Sequence, residues 1–159
     1  MKIIVSDTTS LIVLESLEAL DLVCKLFDSV LIPQAVFTEL CVGSANIRQK
    51  LQSCACIEII HLPPSAQLHH LLLVLDQGEA EAITLALDKQ LPIIIDERKG
   101  RLIAQQKGLV VTGFLGLLLL AIQRKALTKP AAHQLLDRAI SNGFHVSTKL
   151  YQQFATMLN

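Results

Sequence analysis

Along this chain, short continuous apolar runs alternate with longer segments of helical periodicity. The runs KIIVS at 2–6, SVLI at 29–32, IEIIHL at 57–62, PIIID at 92–96 and LVVT at 109–112 read as strands. A helix near 9–27, broken around Asp21, follows the first of them. Pro33 suits the first turn of a helix over 33–41 that Gly43 stops. Polar sequence at 45–53 forms another helix, and Pro63-Pro64 interrupts the chain before a helix at 66–75. GEAEAITLALDKQ gives an amphipathic helix over 78–90, and a further helix covers 97–107 before Gly108 turns the chain. The remaining 114–158 read as three helices, the last capped by Ser147. Strands separated by helices in this order predict an α/β fold: a central parallel sheet flanked by helices on both faces, with a helical C-terminal tail. No repeat or low-complexity linker divides the chain, so residues 1–159 are expected to form one domain.

Composition narrows the chemistry. Hydrophobic residues make up 52% of the 159 and aromatics only 4%, so Leu, Ile, Val and Ala must build the core. A chain of this length buries enough apolar surface to fold without disulfides or a structural metal. The opening MKIIVSD reaches a charge too early for a secretory signal. The apolar stretch 108–122 carries three glycines and is shorter than a bilayer requires, and it reads as a buried strand and helix. A cytoplasmic protein is expected. Cys24, Cys41, Cys54 and Cys56 suit that compartment as small buried apolar residues, and Cys54-Ala-Cys56 is too tight for a zinc knuckle. His69-His70 is expected on a helix surface. Lys+Arg and Asp+Glu balance at 14 each, which argues against strong non-specific attraction to nucleic acid. Local clusters remain, at Arg98, Lys99, Arg101 and Lys107 and at Arg124, Lys125 and Lys129.

Two of the most apolar runs stop directly at an aspartate, Asp7 and Asp96. In an open parallel sheet, ligands bind at the carboxyl ends of the strands. Both aspartates also precede a helix, where capping alone would account for either. Asp76 and Glu79 have the spacing of a capping box. Glu79 and Glu81 stand about 200° apart on their helix, so at most one of them faces a common site. Glu39 falls in the last turn of its short helix, where the helix dipole disfavours a carboxylate. A strand-end Asp, two helix Glu and a second strand-end Asp are the oxygen donors that Mg²⁺ or Mn²⁺ prefers. They also suit metal-assisted phosphodiester hydrolysis. No GxSxG, P-loop, GxGxxG or HExxH motif competes.

At these residues the chain resembles the PIN domain family of metal-dependent ribonucleases. More narrowly, it resembles a prokaryotic PIN-like group related to the toxins of toxin–antitoxin pairs. The matching pieces are VSDTTSLIVL, VLIPQAVFTEL, DQGEAEAITLALD, PIIIDERKGRLIAQQKGL and VTGFLGLLLLAIQRKAL, in the right order, with GFHVSTKLYQQF after them. The resemblance implies a PIN-like fold and an endoribonuclease using Mg²⁺ or Mn²⁺. It places Asp7, Glu39, Glu79 and Asp96 as metal-binding catalytic residues, with Glu81 and Glu97 as the alternatives at the last two positions. Ser10 matches a small hydroxyl residue that holds a metal-bound water, and Arg98, Lys99 and Arg101 would contact RNA phosphates. The family further implies a homodimer and an antitoxin protein as partners.

Two other readings compete. A PIN-like module without efficient catalysis, acting through RNA or protein contacts, would account for the neutral charge and for Glu where many such toxins have Asp. A phosphotransfer enzyme or receiver domain also places Asp at strand ends. The dehalogenase pattern, however, needs an acid where Thr9 stands, and a receiver needs an acidic pair that Ser6-Asp7-Thr8 lacks. The helix LGLLLLAI at 115–122 is either core or dimer surface, and core is the expectation because it follows a buried strand.

Overall fold

The computed structural model describes residues 2–43 and 46–158. β1 (Ile3–Ser6) is followed by α1 (Thr8–Ser16) and α2 (Leu22–Leu26), then β2 (Ser29–Pro33), α3 (Gln34–Gly43) and α4 (Ile47–Ser53). β3 (Ile57–Ile60) leads through α5 (Ala66–Leu72) and α6 (Gln77–Lys89) to β4 (Ile93–Ile94). α7 (Arg98–Gln106), β5 (Val111–Thr112), α8 (Phe114–Gln123), α9 (Lys129–Ser141) and α10 (Thr148–Leu158) complete the chain.

The five strands form one all-parallel sheet in the order β3-β2-β1-β4-β5. Connections from β1 run to one side through β2 and β3, then cross back to β4 and β5. The crevice between β1 and β4 is therefore the topological switch point, where open parallel sheets bind ligands at their carboxyl ends. Val5 pairs with Ile93 and Ser6 with Ile94 across it, and the Asp7 amide donates to the Ile94 carbonyl at 2.9 Å.

Strand residues alternate between two cores. Ile4, Val30, Ile32 and Ile94 pack with α1, α2, α8, α9 and the end of α10. Val5, Leu31, Ile93 and Ile95 pack against α5 and α6. With both faces covered, β1, β2 and β4 have no polar side to show, which is why they read as continuous apolar runs, whereas edge strand β3 exposes Glu58 and Ile59. Leu117, Leu118 and Ala121 of α8 are fully buried, so this helix is core. Among the described residues no helix is long and apolar enough to cross a membrane.

Several local expectations change. The helix near 9–27 ends at Ser16, because Glu18 turns into the left-handed region (φ 55°) before α2 begins. Pro33 closes β2 opposite Ile60 instead of opening α3; proline lacks the N–H that a strand interior would need, but not one that a strand end requires. α3 runs on to Gly43, which moves Glu39 from a last turn to mid-helix and weakens the dipole cost expected there. The start of the helix expected from 45 lies outside the described residues. Ser147 caps α10 as expected, accepting from the Leu150 amide at 3.1 Å, and His69 and His70 are exposed. The cysteines differ most. All four are half-buried, and Cys24 and Cys56 form a disulfide, because α2 lies against the start of β3 with their Cα atoms 5.5 Å apart.

Candidate functional site

At the carboxyl end of β1, Asp7 occupies the position before α1 with an extended backbone (φ −84°, ψ −177°), yet its side chain makes no capping hydrogen bond. Capping therefore does not account for it. The residue is 3% exposed, in a place where a lone charge is expensive. Burial pushes the Asp7 carboxyl up to about 7, partly opposed by the adjacent Thr8 backbone, and the charges of Asp76, Glu39 and Glu97 push it further up.

Glu79 enters from α6 and is 7% exposed. Asp76 does cap this helix, accepting from the Glu79 amide at 2.8 Å, so that half of the capping box forms. The Glu79 side chain then turns inward. Burial, a side-chain hydrogen bond with Asp76 and the charges of Asp76, Asp7 and Glu97 raise its carboxyl to about 8. Glu39 reaches the same region from α3, where the Thr8 hydroxyl donates to its Oε2 at 2.9 Å. Glu81 points elsewhere. Its Oε1 accepts from the Ala35 amide at 3.3 Å and its Oε2 from Gln77, so it serves the first turn of α3. That is the separation expected of two residues 200° apart on one helix.

Asp96 sits at the end of β4 but is already engaged. It accepts from the Ser10 hydroxyl and from the Phe114 amide at 3.1 Å, the first residue of α8. It thus ties together the starts of α1 and α8, at a helix N-terminus that favours a carboxylate. The charge of the exposed carboxylate after it, Glu97, acts on both Asp7 and Glu79, as that of Asp76 does. Arg98 and Lys99 are exposed on the first turn of α7, and Arg101 is half-buried a turn later. The candidate centre thus groups Asp7, Glu39 and Glu79 with Asp76 and Glu97, and sets Asp96 beside them with Ser10. Thr8 and Asp76 were not singled out from the sequence. The capping-box spacing announced Asp76, but only as a cap.

Three glycines shape this centre by lacking a side chain. A β-carbon at Gly78 would collide with Glu39 Oε1, and one at Gly113 with Asp96 Oδ1. At Gly100 it would lie 2.7 Å from Glu79 Oε2 and 2.6 Å from Ile95 Cδ1. Each carboxylate rests against bare backbone, so the glycines are required for space. Gly100→Ala is expected to displace Glu79 and to weaken Mn²⁺ binding by about tenfold, the lower end of what supporting positions cost a metal site. Calorimetric titration checks the affinity, and an unchanged circular dichroism spectrum shows that the fold persists.

Among the described residues, no three Asp, Glu, His or Cys side chains converge closely enough to cage a metal ion. The donor set nevertheless suits a hard cation. It consists of oxygen ligands alone, and two of its carboxyls, Asp7 and Glu79, are driven toward protonation by burial and by the charges of neighbouring acids. Mg²⁺ keeps several waters and is commonly held by one or two carboxylates and substrate phosphates rather than by an all-protein cage.

Comparison with known proteins bears on the whole chain. The sequence model of the family described as PIN domain matches residues 3–159. Among solved structures, the fold is similar to a PilT N-terminus domain protein from the hyperthermophilic archaeon Sulfolobus solfataricus. That likeness has 16% sequence identity and a TM-score of 0.43, and covers 92% of this chain and 100% of that one. No curated protein matches the sequence.

Proposed function

The chain belongs to the PIN domain family, whose members are generally nucleases, and on that premise we propose that it is a divalent-cation-dependent endoribonuclease. The observation that carries this reading is the pair of buried carboxylates, Asp7 and Glu79, at the sheet's switch point. Each is raised toward neutrality by burial and by surrounding acids, and among the described residues no salt bridge reaches either. Structural carboxylates are ordinarily paired or capped. These are held in a state that a divalent cation would stabilise.

In this reading Asp7, Glu39 and Glu79 hold Mg²⁺ or Mn²⁺, with the fourth carboxylate supplied by Glu97 or Asp96. When bound, the cation neutralises charge on the reacting oxygens and assists attack of water at phosphorus. Asp7 and Glu79 give up their protons as it binds. The Thr8 hydroxyl orients Glu39, and Ser10, anchored to Asp96, positions water at the start of α1. Arg98, Lys99 and Arg101 contact RNA phosphates. A toxin role, an antitoxin partner and a homodimer rest on the family resemblance alone.

Purified protein is expected to cut RNA in Mn²⁺ and to stop when the cation is chelated. Glu97→Gln and Asp96→Asn divide the fourth position. If Glu97 is the ligand, its variant loses both Mn²⁺ affinity and cleavage, while Asp96→Asn loses thermal stability through its contacts with Ser10 and Phe114. No cleavage of any RNA under these conditions contradicts the reading. The neutral charge and the absence of a three-carboxylate cage among the described residues favour a second one, a binding module with little catalysis. RNA binding retained without Mn²⁺ binding at millimolar concentration would select it.

A further inference from the structure

Two cavities, each of about 410 Å³, flank Asp96 and share it as a wall together with Phe144 and His145. The first lies between α1 and the α9–α10 loop, with Ile12, Ser16, Arg98 and Asn142 in its lining. The second lies over the ends of β5 and α8, with Arg101, Thr112, Leu115 and Leu150. Each combines aliphatic floor, a guanidinium and hydrogen-bonding groups, the composition of a small-ligand site. Glu97 lines the first, and its charge acts on both Asp7 and Glu79, so this cavity adjoins the carboxylate centre through Glu97.

The loop between the cavities is fixed on one side and free on the other. Gly143 adopts φ 101°, a turn that L side chains rarely accept. Phe144 then packs edge-on against buried Phe114 with ring centroids 5.1 Å apart, and Phe114 is the residue whose amide Asp96 holds. His145 follows and stays exposed on the shared ridge, where among the described residues no hydrogen bond holds its ring. An exposed aromatic ring, His145, on a loop seated by its neighbour Phe144, with an arginine in the cavity on either side, is the arrangement of a stacking platform for single-stranded nucleic acid. Arg98 and Arg101 are three apart on α7 and therefore neighbours on one helix face.

We propose that this groove is a two-nucleotide track for single-stranded RNA. One base lies in each cavity, His145 provides the stacking face, the phosphodiester that links the two nucleotides is presented beside Asp96, and Arg98 and Arg101 contact that phosphate and the next. Asn142, whose amide both donates and accepts, meets the base edge in the first cavity and makes that position the one where sequence is read. The track rests on the nuclease reading for its orientation, but its occupancy does not require catalysis.

The test is binding of a fluorescein-labelled single-stranded RNA of mixed sequence, followed by anisotropy in EDTA so that no cleavage consumes it. His145→Ala is expected to weaken binding by about tenfold, one stacking contact, and His145→Phe to restore most of it. His145 is exposed, so neither variant should disturb folding, which circular dichroism verifies. A 4-thiouridine version of the RNA is expected to photo-crosslink to residues 139–146. Unchanged affinity in His145→Ala, or crosslinks confined to other segments, overturns the track while leaving cleavage in Mn²⁺ to stand on its own. Crosslinks at 139–146 without any cleavage in Mn²⁺ would leave the track and remove the nuclease reading.

Discussion

Replacing Asp7 with asparagine is expected to reduce RNA cleavage by at least about a hundredfold while raising the unfolding temperature of the cation-free protein. The two effects have one cause. Stabilising developing charge through a bound cation is worth several kcal/mol, and each 1.4 kcal/mol is about tenfold in rate. A variant that cannot hold the cation through Asp7 forfeits most of that. The same carboxylate is almost fully buried and its charged form is opposed by burial and by Asp76, Glu39 and Glu97. Asparagine keeps the shape but carries no charge to desolvate. A domain of this size gains about 2–4 °C in unfolding temperature per kcal/mol relieved. Gel-based cleavage assays and differential scanning calorimetry read the two effects. A variant as active as the parent, or one that is inactive because it is unfolded, would contradict this account of Asp7.

The second large effect is on pH. Asp7 and Glu79 have folded-state values of about 7 and about 8, above ordinary values of 3.8 and 4.5. Between those limits the folded protein holds more protons than the unfolded chain, so the slope of stability with pH is negative. Their contribution to stability is fully present below about pH 4 and is lost as pH rises through about 7 and then about 8. The cation-free protein should therefore unfold at progressively lower temperature as the buffer is taken from mildly acidic to mildly alkaline. Metal ligands must be deprotonated, so Mn²⁺ affinity should climb over the same interval. Mn²⁺ binding should then offset the loss at the alkaline end. Double replacement with Asp7→Asn and Glu79→Gln should flatten both trends. Unfolding temperatures that rise with pH in chelator would show that these carboxyls are ionised and paired in the folded state.

Much of this arrangement was legible in the sequence because it follows from local pattern. KIIVS and PIII are continuous apolar runs since both faces of the sheet are covered, and each ends at an acid since the strand ends are where the chain leaves the core. Spacing alone separated Glu79 from Glu81. Other features depend on contacts that spacing does not encode. Asp76 is a cap, as its position announced, but only packing reveals that its carboxylate also hydrogen-bonds the Glu79 side chain. Asp96 and Glu97 are adjacent, and nothing local says that Asp96 is tied to Ser10 and Phe114 while the charge of Glu97 reaches Asp7 and Glu79. Cys24 and Cys56 are 32 positions apart, and four cysteines allow six different single bridges, among which spacing does not choose. The loop at 142–147 comes to Asp96 from the far end of the chain, through the Phe114–Phe144 contact, which no periodicity would announce.

The central claim is that the Asp7, Glu39 and Glu79 carboxylates form a divalent-cation site. Calorimetric titration of Mn²⁺ into the protein and into its Glu79→Gln variant, in buffer above about pH 8 where Glu79 is ionised, tests it most directly. Saturable binding at or below millimolar concentration, accompanied by proton release and lost in the variant, is the predicted result. No binding to either protein, or equal binding to both, would contradict it.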